Sequence, residues 1–255
     1  MTGPRVQVLP SSGGDPLDIV AGAGEARTVV GPRMGARHRT MCVAVLEPGS
    51  ATVALSHPGE AVWYVVEGAG QAVPERGDAL LLDAGSMVHV GPGAAYSLHA
   101  AGDSSLRLVG GPSPPDPVLH GGVPAESPAG EGEVRLFHRD RPSRRVPLIS
   151  RDARLVVWPG VGAHTANMNY VRLAPGEENV PHRHAESEDT IVILSGCGTV
   201  DDLTNGAALS FEAGDVIHVP VGLEHRVKAD RGEGVESVGG PCPPDAAMLA
   251  LSEDA

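Results

Sequence analysis

The chain has 255 residues, enough for one large domain or two small ones with proper cores, and its 19 basic and 32 acidic side chains give a formal charge of −13. Such a field repels phosphate backbones and anionic lipid, so neither nucleic acid nor a membrane surface is an expected partner, and no run nears the ~18 apolar residues of a bilayer span. The opening MTGPRVQVLPSSGGDP lacks a charged-then-apolar export signal, and the three cysteines, Cys42, Cys197 and Cys242, share no metal-ligand spacing, so a cytoplasmic protein with reduced thiols is expected.

In chain order, MCVAVL (41–46), AVWYVV (61–66), ALLL (79–82) and MVHV (87–90) read as strands: short, rich in β-branched residues and bounded by glycine or proline. ESPAGEGEVRLFHRDRPSRRVP (126–147) breaks that rhythm with a run of arginines and reads as a solvated linker. NYVRL (169–173), TIVIL (190–194) and DVIHV (215–219) resume the strands, and PDAAMLALSEDA (244–255) offers one short helix. Many short strands between turn signals predict an all-β chain of barrels or sandwiches.

One string is written twice. VGGPSPPD (109–116) returns as VGGPCPPD (238–245), 129 residues on. At that offset DAGSMVHVGPGAAYSL (83–98) lies over EAGDVIHVPVGLEHRV (212–227). EGAGQAV (67–73) meets SGCGTV (195–200) shifted by one, and MCVAVLEPG (41–49) meets MNYVRLAPG (168–176) shifted by two. Small drifts between matched blocks are what loop-length changes leave in a duplicated domain. The expected organisation is a first domain over 1–120, a linker over 121–150 and a second domain over 151–255, with VGGPxPPD where each copy's last strand leaves its barrel.

The second copy carries the chemistry. GEENVPHRHAESEDTIVILSG (176–196) holds His182 and His184, which share a face if the segment is extended, with Glu188 and Asp189 just beyond. GDVIHVPVGLEH (214–225) brings His225 in on a turn. Three imidazoles and a carboxylate suit Fe(II), Mn(II), Ni(II), Zn(II) or Cu(II), and four protein ligands leave a six-coordinate ion two open positions. Gly176, His182, His184 and Gly196, then Gly214, Pro220, Gly222 and His225, resemble the two motifs of the cupin superfamily. With the repeat, the chain resembles two-domain bicupins: two tandem jelly-roll barrels (double-stranded β-helices). For the acidic ligand the spacing favours Asp189, with Glu188 next, since internal alignment sets Glu188 over Glu60 in a copy without the histidines.

That alignment sets His182 over Ala54, His184 over Ser56, Asp189 over Ala61 and His225 over Tyr96, so the first copy is read as metal-free, with His57 and Glu60 a displaced remnant. His89 and His218 align with each other and read as packing histidines. In NYVRL, Tyr170 and Arg172 replace Val43 and Val45 of the first copy; on an inward face they would line the pocket, with Arg172 suited to a substrate carboxylate, and on an outward face they are surface residues.

The resemblance implies one divalent transition metal per chain, Fe(II) first, then Mn(II), Ni(II) or Zn(II), and a small-molecule substrate. The leading expectation is an Fe(II) dioxygenase acting on a small organic molecule, an acid if Arg172 faces inward. The alternatives are a non-redox isomerase, epimerase, cyclase or lyase, with Glu188, Glu224 or Tyr170 as general base, and a non-catalytic binding bicupin. The first copy is expected to serve as a fused subunit, making an intramolecular pseudo-dimer.

Overall fold

Alternation of side chains along each strand explains why the strands pack on both faces. The structure, a computed structural model, describes residues 3–123, 132–146 and 149–251. Among these residues strands predominate, and the one α-helix is Ala246–Leu251, within the segment read as a terminal helix. Each copy is built on a seven-stranded antiparallel sheet. In the first copy the order is Val134–His138, Ser86–Val90, Glu60–Glu67, Leu106–Ser113, Met41–Leu46, Gly24–Val30 and Asp15–Pro16. In the second it is Gln7–Pro10, Asp215–Val219, Glu188–Ser195, Val235–Cys242, Met168–Leu173, Asp152–Val157 and Arg144–Arg145. Smaller sheets of five and three strands close the two barrels.

One edge strand of each large sheet comes from outside its own copy. Gln7–Pro10 pairs with Asp215–Val219 in register Gln7 to His218, and Val134–His138 pairs with Ser86–Val90 in register Ser86 to His138. The stretch read as a solvated linker is therefore corrected in its middle: residues 134–138 are a strand of the first barrel. Its arginines are anchored too. Arg135 donates to the Val161 carbonyl at 2.6 Å, and Arg139 donates to the Tyr64 hydroxyl at 3.0 Å. Residues 126–131 and 147 of that stretch lie outside the described residues.

The inner faces of the strands fill the two barrels, around Trp63, Leu98 and Leu108 in the first and around Ile193, Phe211 and Ile217 in the second. Their outer faces meet in a shared core containing Val43, Val62, Tyr64 and Met87 from one copy and Met168, Tyr170, Val192 and Val238 from the other. Two carboxylates clasp this seam reciprocally. Glu60 accepts from the backbone N–H groups of His164, Thr165 and Ala166 at 2.6–2.9 Å. Glu188 accepts from those of Arg37, His38 and Arg39 at 2.8–3.2 Å. His89 and His218 stand 3.4 and 3.5 Å from these carboxylates, which accounts for their presence in both copies.

The duplicated VGGP lies in Leu106–Ser113 of the first barrel and Val235–Cys242 of the second. Gly110 and Gly239 have φ of 146° and 149°, and a Cβ there would stand 2.1 and 2.0 Å from the carbonyls of Val62 and Thr190. Only glycine lets the neighbouring strand approach so closely.

Candidate metal centre

The two histidines of PHRH enter the second barrel on an extended segment whose backbone pairs with the turn after Asp215–Val219: His182 and His225 exchange N–H···O bonds of 3.1 and 2.9 Å. Spacing by two points both imidazoles inward, and the pairing brings His225 alongside, with ring centroids 4.3 Å from His182 and 5.6 Å from His184. Every one of the three Nδ1 atoms faces an acceptor: the Val180 carbonyl at 2.9 Å for His182, the Asp245 carboxylate at 2.7 Å for His184 and the Leu223 carbonyl at 3.2 Å for His225. Each Nδ1 therefore carries the proton, and each Nε2 presents a lone pair.

Those lone pairs converge on Asp189, whose Oδ2 stands 3.7 Å from Nε2 of both His184 and His225. One ligand atom from each of His182, His184, Asp189 and His225 lies within 4.8 Å of the other three. His184 Nε2, His225 Nε2 and Asp189 Oδ1 are buried and have no hydrogen-bond partner. Buried acceptors facing one another without a donor are costly unless a cation sits among them, so the donor set fits a divalent transition metal. Burial draws His182 down to about 4, with the neighbouring His225 adding to it. Burial raises Asp189, and only positive charge at the point faced by His184 and His225, on the rings or on an ion between them, more than offsets it and holds the carboxyl well below the usual range.

The choice between Asp189 and Glu188 follows from the pleat. They are consecutive on Glu188–Ser195, so Asp189 turns into the barrel with Ile191, and Glu188 turns out to the seam with Val192. Glu188 is thereby removed from the candidate catalytic groups. Tyr170 and Arg172 are corrected likewise: the face of Met168–Leu173 that lines the cavity carries Asn169, Val171 and Leu173. Tyr170 belongs to the inter-barrel core, with the guanidinium carbons of Arg139 and Arg154 5.2 and 4.8 Å from its ring centroid, and Arg172 is exposed on the same side. The basis for a substrate acid goes with Arg172. Glu224 pairs with Arg183 at 3.8 Å and does not line the cavity, and Cys197 lies beside Asp230, apart from the site.

One residue was not foreseen. Asp245 is the last letter of VGGPCPPD, and its carboxylate accepts a hydrogen bond from His184 Nδ1–H. A carboxylate behind a ligating histidine fixes the ring's tautomer and makes its free nitrogen a better donor. The signal was present in the repeat itself, since Asp116 closes the first copy's string and holds His57 Nδ1 at 2.8 Å.

That pair also corrects the internal alignment. Leu55 and Tyr96 exchange backbone bonds of 2.8 and 2.9 Å as His182 and His225 do, and Gly93 N–H bonds the His57 carbonyl as Gly222 bonds that of His184. Leu55 thus occupies the place of His182, and His57 that of His184, in place of Ala54 and Ser56. The extra residue of the second copy falls between His184 and Glu188. Only Leu55, Ala61 and Tyr96 depart from the ligand set. The Tyr96 hydroxyl lies 3.2 Å from His57 Nε2 and accepts from Trp63 Nε1 at 2.7 Å, so the nitrogen left bare in His184 is satisfied here by a phenol.

Above the ligands a cavity of about 100 Å³ opens between the strands and Ala246–Leu251, with Ile149, Leu155 and Leu249 among the side chains around it.

Two barrels with one converging cluster of three histidines and an aspartate define a double-barrel metal-site fold, and comparison with known proteins gives the family. The model described as "Cupin domain" matches residues 42–110 and 169–237, and the chain belongs to this family. Germin-like protein subfamily T member 2 of Arabidopsis thaliana is 34% identical over 76 residues, covering 29% of this chain and 34% of that protein. Oxalate oxidase GF-3.8 of Triticum aestivum is 31% identical over 80 residues, covering 29% and 36%. The match spans about a third of the length of these curated relatives. Among solved structures, the Lactobacillus farciminis oxalate decarboxylase formate complex superposes with a TM-score of 0.71 over 99% of this chain and 91% of its own, at 16% identity, a likeness of fold.

Proposed function

We propose that this protein is a metal-dependent bicupin enzyme that uses dioxygen on a small organic substrate, with one divalent ion per chain held by His182, His184, Asp189 and His225. The observation that carries it is the convergence of three protonated-at-Nδ1 imidazoles and a carboxylate on one buried point that has no hydrogen-bond donor. An ion there supplies Lewis acidity and, for Fe(II) or Mn(II), one-electron chemistry. Fe(II) leads this proposal; Mn(II) follows, in keeping with the Mn(II) centres named for Bacillus subtilis oxalate decarboxylase, a structural neighbour at 15% identity.

The chain's own residues hold and insulate. Asp245 keeps the Nδ1 proton on His184, so that Nε2 stays a donor to the ion. The aliphatic wall keeps water from the bound substrate. Oxidative chemistry is favoured over isomerase or lyase chemistry because the three general bases expected for the latter, Glu188, Glu224 and Tyr170, do not line the cavity, and Asp245, the remaining carboxylate there, is committed to His184. A cytoplasmic location and action as an intramolecular pseudo-dimer belong to the same proposal.

Metal analysis of protein purified without added metal, followed by oxygen-electrode assays on small oxygenated organic molecules, tests this reading. One equivalent of Fe or Mn with substrate-dependent oxygen uptake is expected. Turnover that persists without oxygen would transfer the site to the non-redox reading.

A further inference from the structure

The walls of the cavity describe what enters it. All 19 lysines and arginines of the chain lie among the described residues, and none lines the cavity. Its charged side chains outside the histidines are Asp189 and Asp245, both acidic. Ile149, Leu155, Val171, Leu173, Ile191 and Leu249 supply most of the remaining surface.

The polar residues of the wall are bonded to the backbone or to one another. Asn167 donates to the Pro241 carbonyl at 3.0 Å and accepts from Asn169 at 2.7 Å. Asn169 Oδ1 accepts from Val156 N–H at 3.1 Å, Asn179 Oδ1 from Val227 N–H at 2.8 Å, and the Ser237 hydroxyl donates to the Val171 carbonyl at 3.4 Å. At about 100 Å³ the cavity is well below the ~300–1,000 Å³ of pockets for drug-sized ligands, so only a small molecule fits.

We infer that the substrate is a molecule of fewer than ~10 non-hydrogen atoms with one oxygen function for the metal and an aliphatic body, and that a second carboxylate is rejected. This rests on the reading of the site as a metal centre. A metal-bound oxygen satisfies the one place where positive charge resides. Beyond it, a second anion would lose its hydration against hydrocarbon and two aspartates, whereas an isopropyl group would gain burial. Oxalate, named for several of the relatives, has the charge pattern this wall disfavours.

The test uses the full chain loaded with Mn(II) and two probes of equal size, succinate and 4-methylpentanoate, which differ only in whether the far end is a carboxylate or an isopropyl group. Titration calorimetry should give 4-methylpentanoate more than tenfold tighter. Val171→Lys places the missing cation in the wall and should reverse the order; Leu249→Lys, on the helix that lines the cavity, does the same where the first variant fails to fold. Equal affinities, tighter succinate, or binding of neither probe to protein that holds one Mn(II) would overturn the inference and leave the metal centre standing. Failure to hold Mn(II) at all would overturn the proposed function, and the substrate inference with it.

Discussion

Asp245 and Glu188 show how much depends on which oxygen meets which nitrogen. Asp245 touches no ion itself; it holds His184 by a 2.7 Å bond, and carboxylates in that position are worth roughly 10–100-fold in metal affinity. Asp245→Asn should therefore weaken Mn(II) binding about tenfold, read by competition with a chelating dye, while the far-UV circular dichroism stays that of the parent. Unaltered affinity would reduce the contact to packing. The neighbours Glu188 and Asp189 should separate cleanly. Asp189→Asn should lose bound metal with little change in melting. Glu188→Gln should keep its metal but lose about 1.5–3 kcal/mol of stability, because a charged acceptor of three backbone N–H groups becomes a neutral one. The opposite pattern in metal content and melting would reverse the two roles.

At the scale of strands and loops, local pattern was enough for some elements and not for others. The strands were legible because valine and isoleucine runs bounded by glycine state both their type and their ends. The converging cluster was legible because His182, His184 and His225 lie at motif spacing. The facing of Met168–Leu173 was not, because both faces of that strand are covered, one by the cavity and one by the other barrel, so burial does not tell inside from outside. Val134–His138 was hidden for a related reason: all five residues are half-buried in an arginine-rich stretch, and its partner Ser86–Val90 lies far back in the chain. The slip at His57 needed the backbone pairing of Leu55 with Tyr96. The crossing of Gln7–Pro10 to the second barrel gives its own expectation. Deleting residues 1–11 should bare the edge of Asp215–Val219, lower the melting temperature and promote aggregation, seen by light scattering, although every proposed ligand remains. A deletion that melts and behaves like the full chain would show the strand to be dispensable.

For the whole molecule, the reciprocal clasps tie stability to pH. Burial alone would raise Glu60, but His89 and the backbone N–H groups of residues 164–166 more than offset it and bring it from 4.5 to about 2. Glu188 is lowered in the same way, against burial, by His218 and the N–H groups of the first barrel. A carboxylate depressed by folding stabilises fully above its unfolded value and loses that contribution as pH falls through the folded one. Melting should thus be flat above about pH 5 and fall steeply from there toward pH 2. Glu60→Gln should melt lower at neutral pH and show a shallower acid slope; an unchanged slope would place the acid sensitivity elsewhere. The two barrels also differ by few residues at their centres. Because His57 and Asp116 are retained, Leu55→His, Ala61→Asp and Tyr96→His together should raise bound Mn(II) from one equivalent to two, measured by elemental analysis. A triple variant that folds and still binds one would mean that the first barrel has lost more than its ligands.

These outer strands also set an order of events during synthesis. Val6 donates its N–H to Asp202, 196 residues further on, and Gln7–Pro10 waits for a strand later still. At 5–20 residues per second the N-terminal strand stays without its partner for roughly 10–40 s. The first barrel in turn lacks its edge until Val134–His138 emerges from the ribosome. Nascent chains halted before residue 134 should accordingly be open to protease in the first barrel, and chains halted shortly after that strand clears the exit tunnel should be protected there while Gln7–Pro10 is still cut.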